Sequence, residues 1–140
     1  MDPRVIRVKQ FFESLTPADV TRLAEIYAPQ AYFKDPFNEV RGTVAIGDIF
    51  AHMFVQVDSP RFLVRDVVVQ GDDAFLTWDF VFRFRRGGAE QLIRGASHLK
   101  FDADGRVGYH RDYWDAAEEL YEKLPLLGGL MRLLKRQAAR

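Results

Sequence analysis

AFLTWDFVFRFR, residues Ala74 to Arg85, alternates with a period of two. Leu76, Trp78, Phe80, Phe82 and Phe84 fall on one face, and Thr77, Asp79, Arg83 and Arg85 fall largely on the other. Successive side chains of a strand point to opposite faces, so the pattern predicts a strand with one apolar side. Turn residues bound it, Gly71-Asp72-Asp73 before and Gly87-Gly88 after. Period two continues outward in both directions. Phe62 to Val69 and Gln91 to Phe101 read as its neighbours, and the loop Asp102-Ala103-Asp104-Gly105 makes a hairpin into Val107 to Trp114.

Upstream the spacing changes to helical. Val5, Val8, Phe11, Phe12 and Leu15 predict a helix over residues 4–15. Thr16-Pro17 is a cap followed by proline at the first helical position, and Val20, Leu23, Ala24 and Tyr27 carry a second helix to Pro29. Val44, Ile46, Ile49, Phe50 and Phe54 mark a third over 43–55. Three helices followed by hairpin-connected strands predict an α+β domain, its helices on one face of a curved antiparallel sheet made mainly from residues 61–115. A sheet folded over helices in this way leaves a cone-shaped cavity, and the aromatic face of the 74–85 strand would point into it.

At 140 residues, the chain is long enough for one domain with a real core. The aromatic content is 14%, with 12 Phe, which favours an aromatic-lined interior. Twenty basic residues balance twenty acidic ones, so no global field draws the chain to nucleic acid. The absence of cysteine excludes disulfides and thiolate metal sites. MDPRVIRVKQFF shows no signal-peptide pattern, and no apolar run reaches membrane-spanning length, so a cytoplasmic location is expected.

The stretch YFKDPFNEVRG, Tyr32 to Gly42, sets a carboxylate among aromatics. Asp35 either opens an Asp-Pro turn or stands in an apolar pocket, where desolvation suits a carboxylate to proton transfer. Parity on the last strand puts His110, Asp112 and Trp114 on one face and Tyr109, Arg111 and Tyr113 on the other. For Asp112 the readings are pairing with Arg111, Arg94 or another cation, or use within the cavity, since an inward carboxylate in apolar surroundings is costly. His98 alternates to the face opposite Ser97 and reads as structural or interfacial. With His52 the three histidines give no metal-ligand spacing, and neither metal nor cofactor is expected.

The helix pair, the strand carrying Lys-Asp-Pro, VRGTVAIGDIF (Val40–Phe50) and GASHLKFDADGRVGYHRDYWD (Gly95–Asp115) together resemble the nuclear-transport-factor-2-like superfamily. The resemblance is to its ketosteroid-isomerase and SnoaL-like polyketide-cyclase branch, and implies the cystatin-like cone over residues 1–122. It places the isomerase base on Asp35, its oxyanion tyrosine on Phe11 and its protonated aspartate on Ser97. Phe11 cannot donate a hydrogen bond and Ser97 is a weaker donor, so efficient steroid isomerisation is not expected; that isomerase is itself a standard example of a raised-pKa carboxylic acid donating to an oxyanion. The tail GYHRDYWDAAEELYEKLPL resembles limonene epoxide hydrolase, which places a catalytic aspartate on Asp112 and the water-holding asparagine on Asp35. The arginine and second aspartate of that family are missing from the inward face of the 74–85 strand, where Trp78, Phe80 and Phe82 stand.

The resemblance makes the His110 face the pocket face. The expected site is therefore Asp35, Asp112 and His110 as acid–base groups, with Phe11, Tyr27, Phe54, Trp78, Phe80, Phe82, Ser97 and Trp114 around a compact apolar molecule. The expected chemistry is isomerisation, cyclisation or water addition on an alicyclic or polyketide-like substrate; the alternative is a non-catalytic ligand-binding or protein-interaction domain. Val81 and Tyr113 interrupt the polar outer face, and relatives commonly dimerise there, so a homodimer through the sheet is expected. Residues 123–140 carry five cations after Glu122 and no acid. They read as an amphipathic helix covering the cavity or a partner subunit, a membrane-surface anchor being the less favoured reading.

Overall fold

The computed structural model describes residues 1–85, 87–120, 133–134 and 136–138. Helix α1, Pro3–Glu13, opens with Asp2, whose carboxylate accepts the Arg4 N–H at 2.9 Å, and Pro3 occupies the first turn. Its buried face is Val5, Val8 and Phe11. Arg4 also reaches Asp72 at 2.7 Å, tying the helix to a distant sheet turn.

The second helix is a 3-10 helix, Pro17–Glu25, and it stops short of the expected end. Asp19 accepts the Thr16 N–H and hydroxyl, each at 2.9 Å, which closes its first turn. Tyr27 is not helical. It begins strand β1, Tyr27–Lys34, and Pro29 is a strand residue rather than a helix stop. Proline has no N–H to give a ladder, and Pro29 falls where the β1 register shifts between Tyr27 and Tyr32.

Strand β2, Glu39–Arg41, precedes helix α2, Thr43–Gln56. Strands β3 (Val57–Gln70), β4 (Asp73–Phe84), β5 (Gln91–Phe101) and β6 (Val107–Tyr113) follow. They form one six-stranded sheet in the order β2-β1-β6-β5-β4-β3. The expected α+β arrangement is present, with one correction. β1 pairs with β6 in parallel, Phe33 opposite His110, so the sheet is mixed rather than wholly antiparallel. Hairpins join only neighbouring antiparallel strands, whereas β6 meets β1 after α2 and four intervening strands.

The core lies between the helices and the inner sheet face, with Val5, Val8, Tyr27, Phe33, Ile46, Phe50, Leu76 and Leu99 buried together. A second cluster, Trp78, Phe82 and Ile93, is packed by Phe80, Phe84 and Trp114. Past β6 the β5 edge is left open, since the last paired residue is Ala96. Helix α3, Ala116–Glu119, covers it, and the buried Glu119 carboxylate accepts the Arg94 N–H at 2.8 Å. The expected amphipathic helix over 123–140 lies outside the described residues, apart from 133–134 and 136–138, which are helical and exposed. Among the described residues, no helix is long and apolar enough to cross a membrane.

Candidate active site

Alternation along β6 turns His110 and Asp112 to the inner face, where β5 offers Ser97 and β4 offers Trp78. Four hydrogen bonds join five side chains. Trp78 Nε1 lies 2.8 Å from Ser97 Oγ, and Ser97 Oγ lies 2.5 Å from Asp112 Oδ1. His110 Nε2 is 2.6 Å from the same Oδ1, and Tyr27 Oη is 2.6 Å from His110 Nδ1.

The chemistry of these groups fixes the direction. An indole N–H can only donate, so Ser97 accepts from Trp78 and gives its own hydrogen to Asp112. The arrangement that gives every hydrogen an acceptor has Tyr27 donating to Nδ1 and a neutral His110 donating Nε2–H to the carboxylate. Everything points at Asp112. Tyr27 is fully buried, and burial together with the Asp112 charge pushes its phenol well above the usual value, which keeps it a donor. Both bonds to Asp112 end on Oδ1, and among the described residues Oδ2 takes none.

Close approach makes the Trp78 bond geometrically available. Trp78 faces Gly95 across the β4–β5 ladder, and a Cβ at Gly95 would meet the indole at 2.4 Å. Only glycine leaves room for the ring to lie across β5 and reach Ser97.

Asp112 borders a cavity of about 670 Å³, a size suited to a small molecule. Its walls include Trp78, Phe80, Phe82 and Trp114, and Asp35 lies on the same cavity. A second, smaller space of about 50 Å³ is bordered by Ser97, His110, Asp112 and Phe12. Asp112 and Trp78 line both, so the carboxylate stands where they adjoin.

Asp35 satisfies both of its sequence readings in unequal measure. Its Oδ1 accepts the Phe37 N–H at 2.8 Å, the Asn38 N–H at 2.7 Å and the Asn38 side-chain amide at 3.1 Å. Most of its acceptor capacity therefore holds the turn, and it reaches the cavity only as a rim group. Phe11 and Phe54 do not line the cavity. Phe11 is packed in the core, and its neighbour Phe12 faces the site instead. On α2 the lining residues are Ile49, Phe50, His52, Met53 and Gln56, one turn earlier and beside Phe54. Tyr27 is behind the site rather than in its wall. Phe33 and Phe62 also line the large cavity, and for Phe62 the signal in the sequence is its place at the head of the alternating stretch Phe62 to Val69.

His98 is on the outer face, as its parity indicates, with Nε2 2.9 Å from Asp73 and its ring stacked on Phe75. Asp79 is also outside, paired to Arg65 at 2.7 Å, so the inner face of β4 has no carboxylate to complete an epoxide-hydrolase triad. Ser97 commits its hydrogen to Asp112 and so does not serve as an oxyanion donor. Among the described residues, no group of three His, Cys, Asp or Glu is placed to hold a metal ion.

A family model described as the SnoaL-like domain matches residues 8–110. No curated protein matches the chain. Among solved structures, the chain is similar to an epoxide hydrolase of the limonene-epoxide-hydrolase type from M. tuberculosis, at 18% identity and a TM-score of 0.70, over 95% of this chain and 96% of that one. It is similar to a protein from Jannaschia assigned as a SnoaL-like polyketide cyclase, at 18% identity and a TM-score of 0.70, over 84% and 92% of the two chains. It is also similar to a hypothetical protein of ketosteroid-isomerase-like fold from Catenulispora acidiphila, in complex with trimethylamine, at 12% identity and a TM-score of 0.74, over 86% and 91%. At these identities the likeness is one of fold.

Proposed function

The chain belongs to the SnoaL-like domain family, and from that premise we propose that it is an acid–base enzyme acting on a compact, largely apolar substrate with Asp112 as its base. The observation that carries the reading is the asymmetry of one carboxylate. Oδ1 is fixed by Ser97 and His110, among the described residues Oδ2 takes no hydrogen bond, and Asp112 borders an aromatic cavity. A base held in one orientation beside a bound substrate needs no reorganisation when it takes a proton.

Isomerisation, cyclisation and water addition on an alicyclic or polyketide-like molecule share that first step: Asp112 removes a proton from carbon or from water. In isomerisation the same carboxyl then returns the proton to another carbon, so the cavity's own groups balance the step. His110 steadies the carboxylate and, through Tyr27, keeps the tautomer that donates to it. Asp35 adds a rim charge that positions substrate or water. Trp78, Phe80, Phe82 and Trp114 supply the binding area.

The experiment is a screen of small epoxides, enones and polyketide-like ketones against the wild type, Asp112→Asn and Asp35→Asn. Turnover on whichever substrate responds falls by about a hundred- to ten-thousandfold in Asp112→Asn, the usual worth of such a group, and less in Asp35→Asn. Activity surviving both substitutions removes these carboxylates from the mechanism. A second reading, a ligand-binding domain without chemistry, draws on Asp35 being engaged in its turn, which leaves a single carboxylate for proton transfer. It expects no turnover from the wild type.

A further inference from the structure

The large cavity is aromatic and carries acids without matching cations. Among the described residues, its lining includes Asp35 and Asp112 but no lysine or arginine. Each carboxylate is held by neutral donors. Asp112 has Ser97 and the neutral ring of His110; Asp35 has Asn38 and two turn amides. Lys34 and Arg111 border an outer recess together with both carboxylates, yet among the described residues neither makes an ion pair with either. Hydrogen bonds keep the two charges solvated but do not neutralise them, so the field within the cavity is negative.

The walls are aromatic. Phe62 stacks on Phe80 at a centroid distance of 4.7 Å, Phe80 stacks on Phe82 at 5.1 Å, and Trp78 and Trp114 border the same space. Aromatic faces carry the negative part of a ring quadrupole and attract a cation within about 6 Å. A ligand carboxylate, phosphate or sulfonate would lose its water here and meet two like charges with no lysine or arginine among the described residues of the lining.

We propose that the ligand of this cavity is a compact hydrophobic cation, an amine or ammonium compound, and that anionic ligands are excluded. The inference rests on the reading of this cavity as the substrate site and narrows it to a substrate class. It also agrees with the chemistry proposed above, since a positive charge on the substrate acidifies neighbouring C–H bonds and lowers the demand on Asp112.

The test uses the protein's own reporters. Its two tryptophans, Trp78 and Trp114, both line the cavity, so intrinsic fluorescence reads occupancy directly. Three probes of one shape separate charge from size: benzyltrimethylammonium, the uncharged neopentylbenzene and the anionic phenylmethanesulfonate. The cation binds at least about tenfold more tightly than the uncharged probe, and the anion shows no saturable change. Asp112→Asn and Asp35→Asn each shrink the advantage of the cation while leaving the neutral probe within about twofold. Equal affinity for cation and neutral probe, or preference for the anion, overturns the charge assignment and leaves the cavity standing as a ligand site. Absence of any saturable change with all three probes overturns both.

Discussion

His110 Nε2 lies 2.6 Å from Asp112 Oδ1, two residues along the same strand. Residues two apart on a strand share a face, and here that face is the inner wall of the cone. The neighbouring strands supply the other partners, Ser97 from β5 and Tyr27 from β1. The parallel β1–β6 pairing brings Tyr27 to this place, because it runs the two strands side by side beneath the helices.

The first expected outcome concerns Tyr27. Tyr27→Phe leaves His110 Nδ1 buried without its donor, at a cost of about 1–3 kcal/mol, the usual penalty for an orphaned buried group. It also frees the ring to change tautomer. Nitrogen-15 NMR of the imidazole then shows the Nε2–H form dominant in the wild type and a mixture in the variant.

Alkaline behaviour follows from the same residue. The folded state holds the Tyr27 phenol above its unfolded value through burial and the Asp112 charge. The unfolded chain therefore ionises first. Stability is unaffected below the ordinary tyrosine range near pH ~10 and falls as pH rises above it. Denaturant unfolding of the wild type loses stability over that window, and Tyr27→Phe shows a shallower slope. Identical slopes would mean that Tyr27 is not held protonated by its surroundings.

Gly95 is the next position. Any Cβ there meets Trp78 at 2.4 Å, so Gly95→Ala displaces the indole and breaks its bond to Ser97. The expected loss of stability is about 1–3 kcal/mol, the range for overpacking in a closed core. Trp78 fluorescence shifts with it, whereas Gly71→Ala, where a Cβ meets nothing within 4 Å and only the positive φ is strained, leaves that emission in place.

Much of this was legible in sequence because strand alternation is simple. Ala74 to Arg85 and Val107 to Trp114 sort their side chains by parity, which groups Trp78, Phe80 and Phe82 on one strand and His110 and Asp112 on another; the family resemblance, not parity, points both groups at the same cavity. What parity cannot supply is register. Ser97 opposite Asp112 and Trp78 opposite Gly95 are facts of cross-strand alignment, and the hydrogen-bonded chain depends on both. Tyr27 was misplaced for a different reason: with Val20, Leu23 and Ala24 it keeps helical spacing, yet the segment changes to strand after Ile26. Phe11 and Phe12 both fit the apolar stripe of α1, and only packing decides that Phe12 faces the site.

Association is expected through the outer sheet face, which we propose as a homodimer contact. Val68 (63% exposed), Phe75 (49%) and Tyr113 (49%) offer apolar surface there, whereas Val81, named for this role from its sequence position, is buried. Sedimentation at micromolar concentration shows a dimer in the wild type, and Phe75→Lys shifts it toward monomer. A wild-type monomer at that concentration removes the proposal.

The most direct measurement of the central claim is carbon-acid exchange, which requires only a bound ketone and no knowledge of the natural substrate. In deuterium oxide, proton NMR follows loss of the α-hydrogens of 2-tetralone, with its binding confirmed by quenching of Trp78 and Trp114. With Asp112 as the base, wild-type protein exchanges them well above the buffer rate, and Asp112→Asn falls by about a hundredfold or more, to that background. Equal exchange by the two proteins, with the ketone bound to both, would show that Asp112 is not the group that takes the proton.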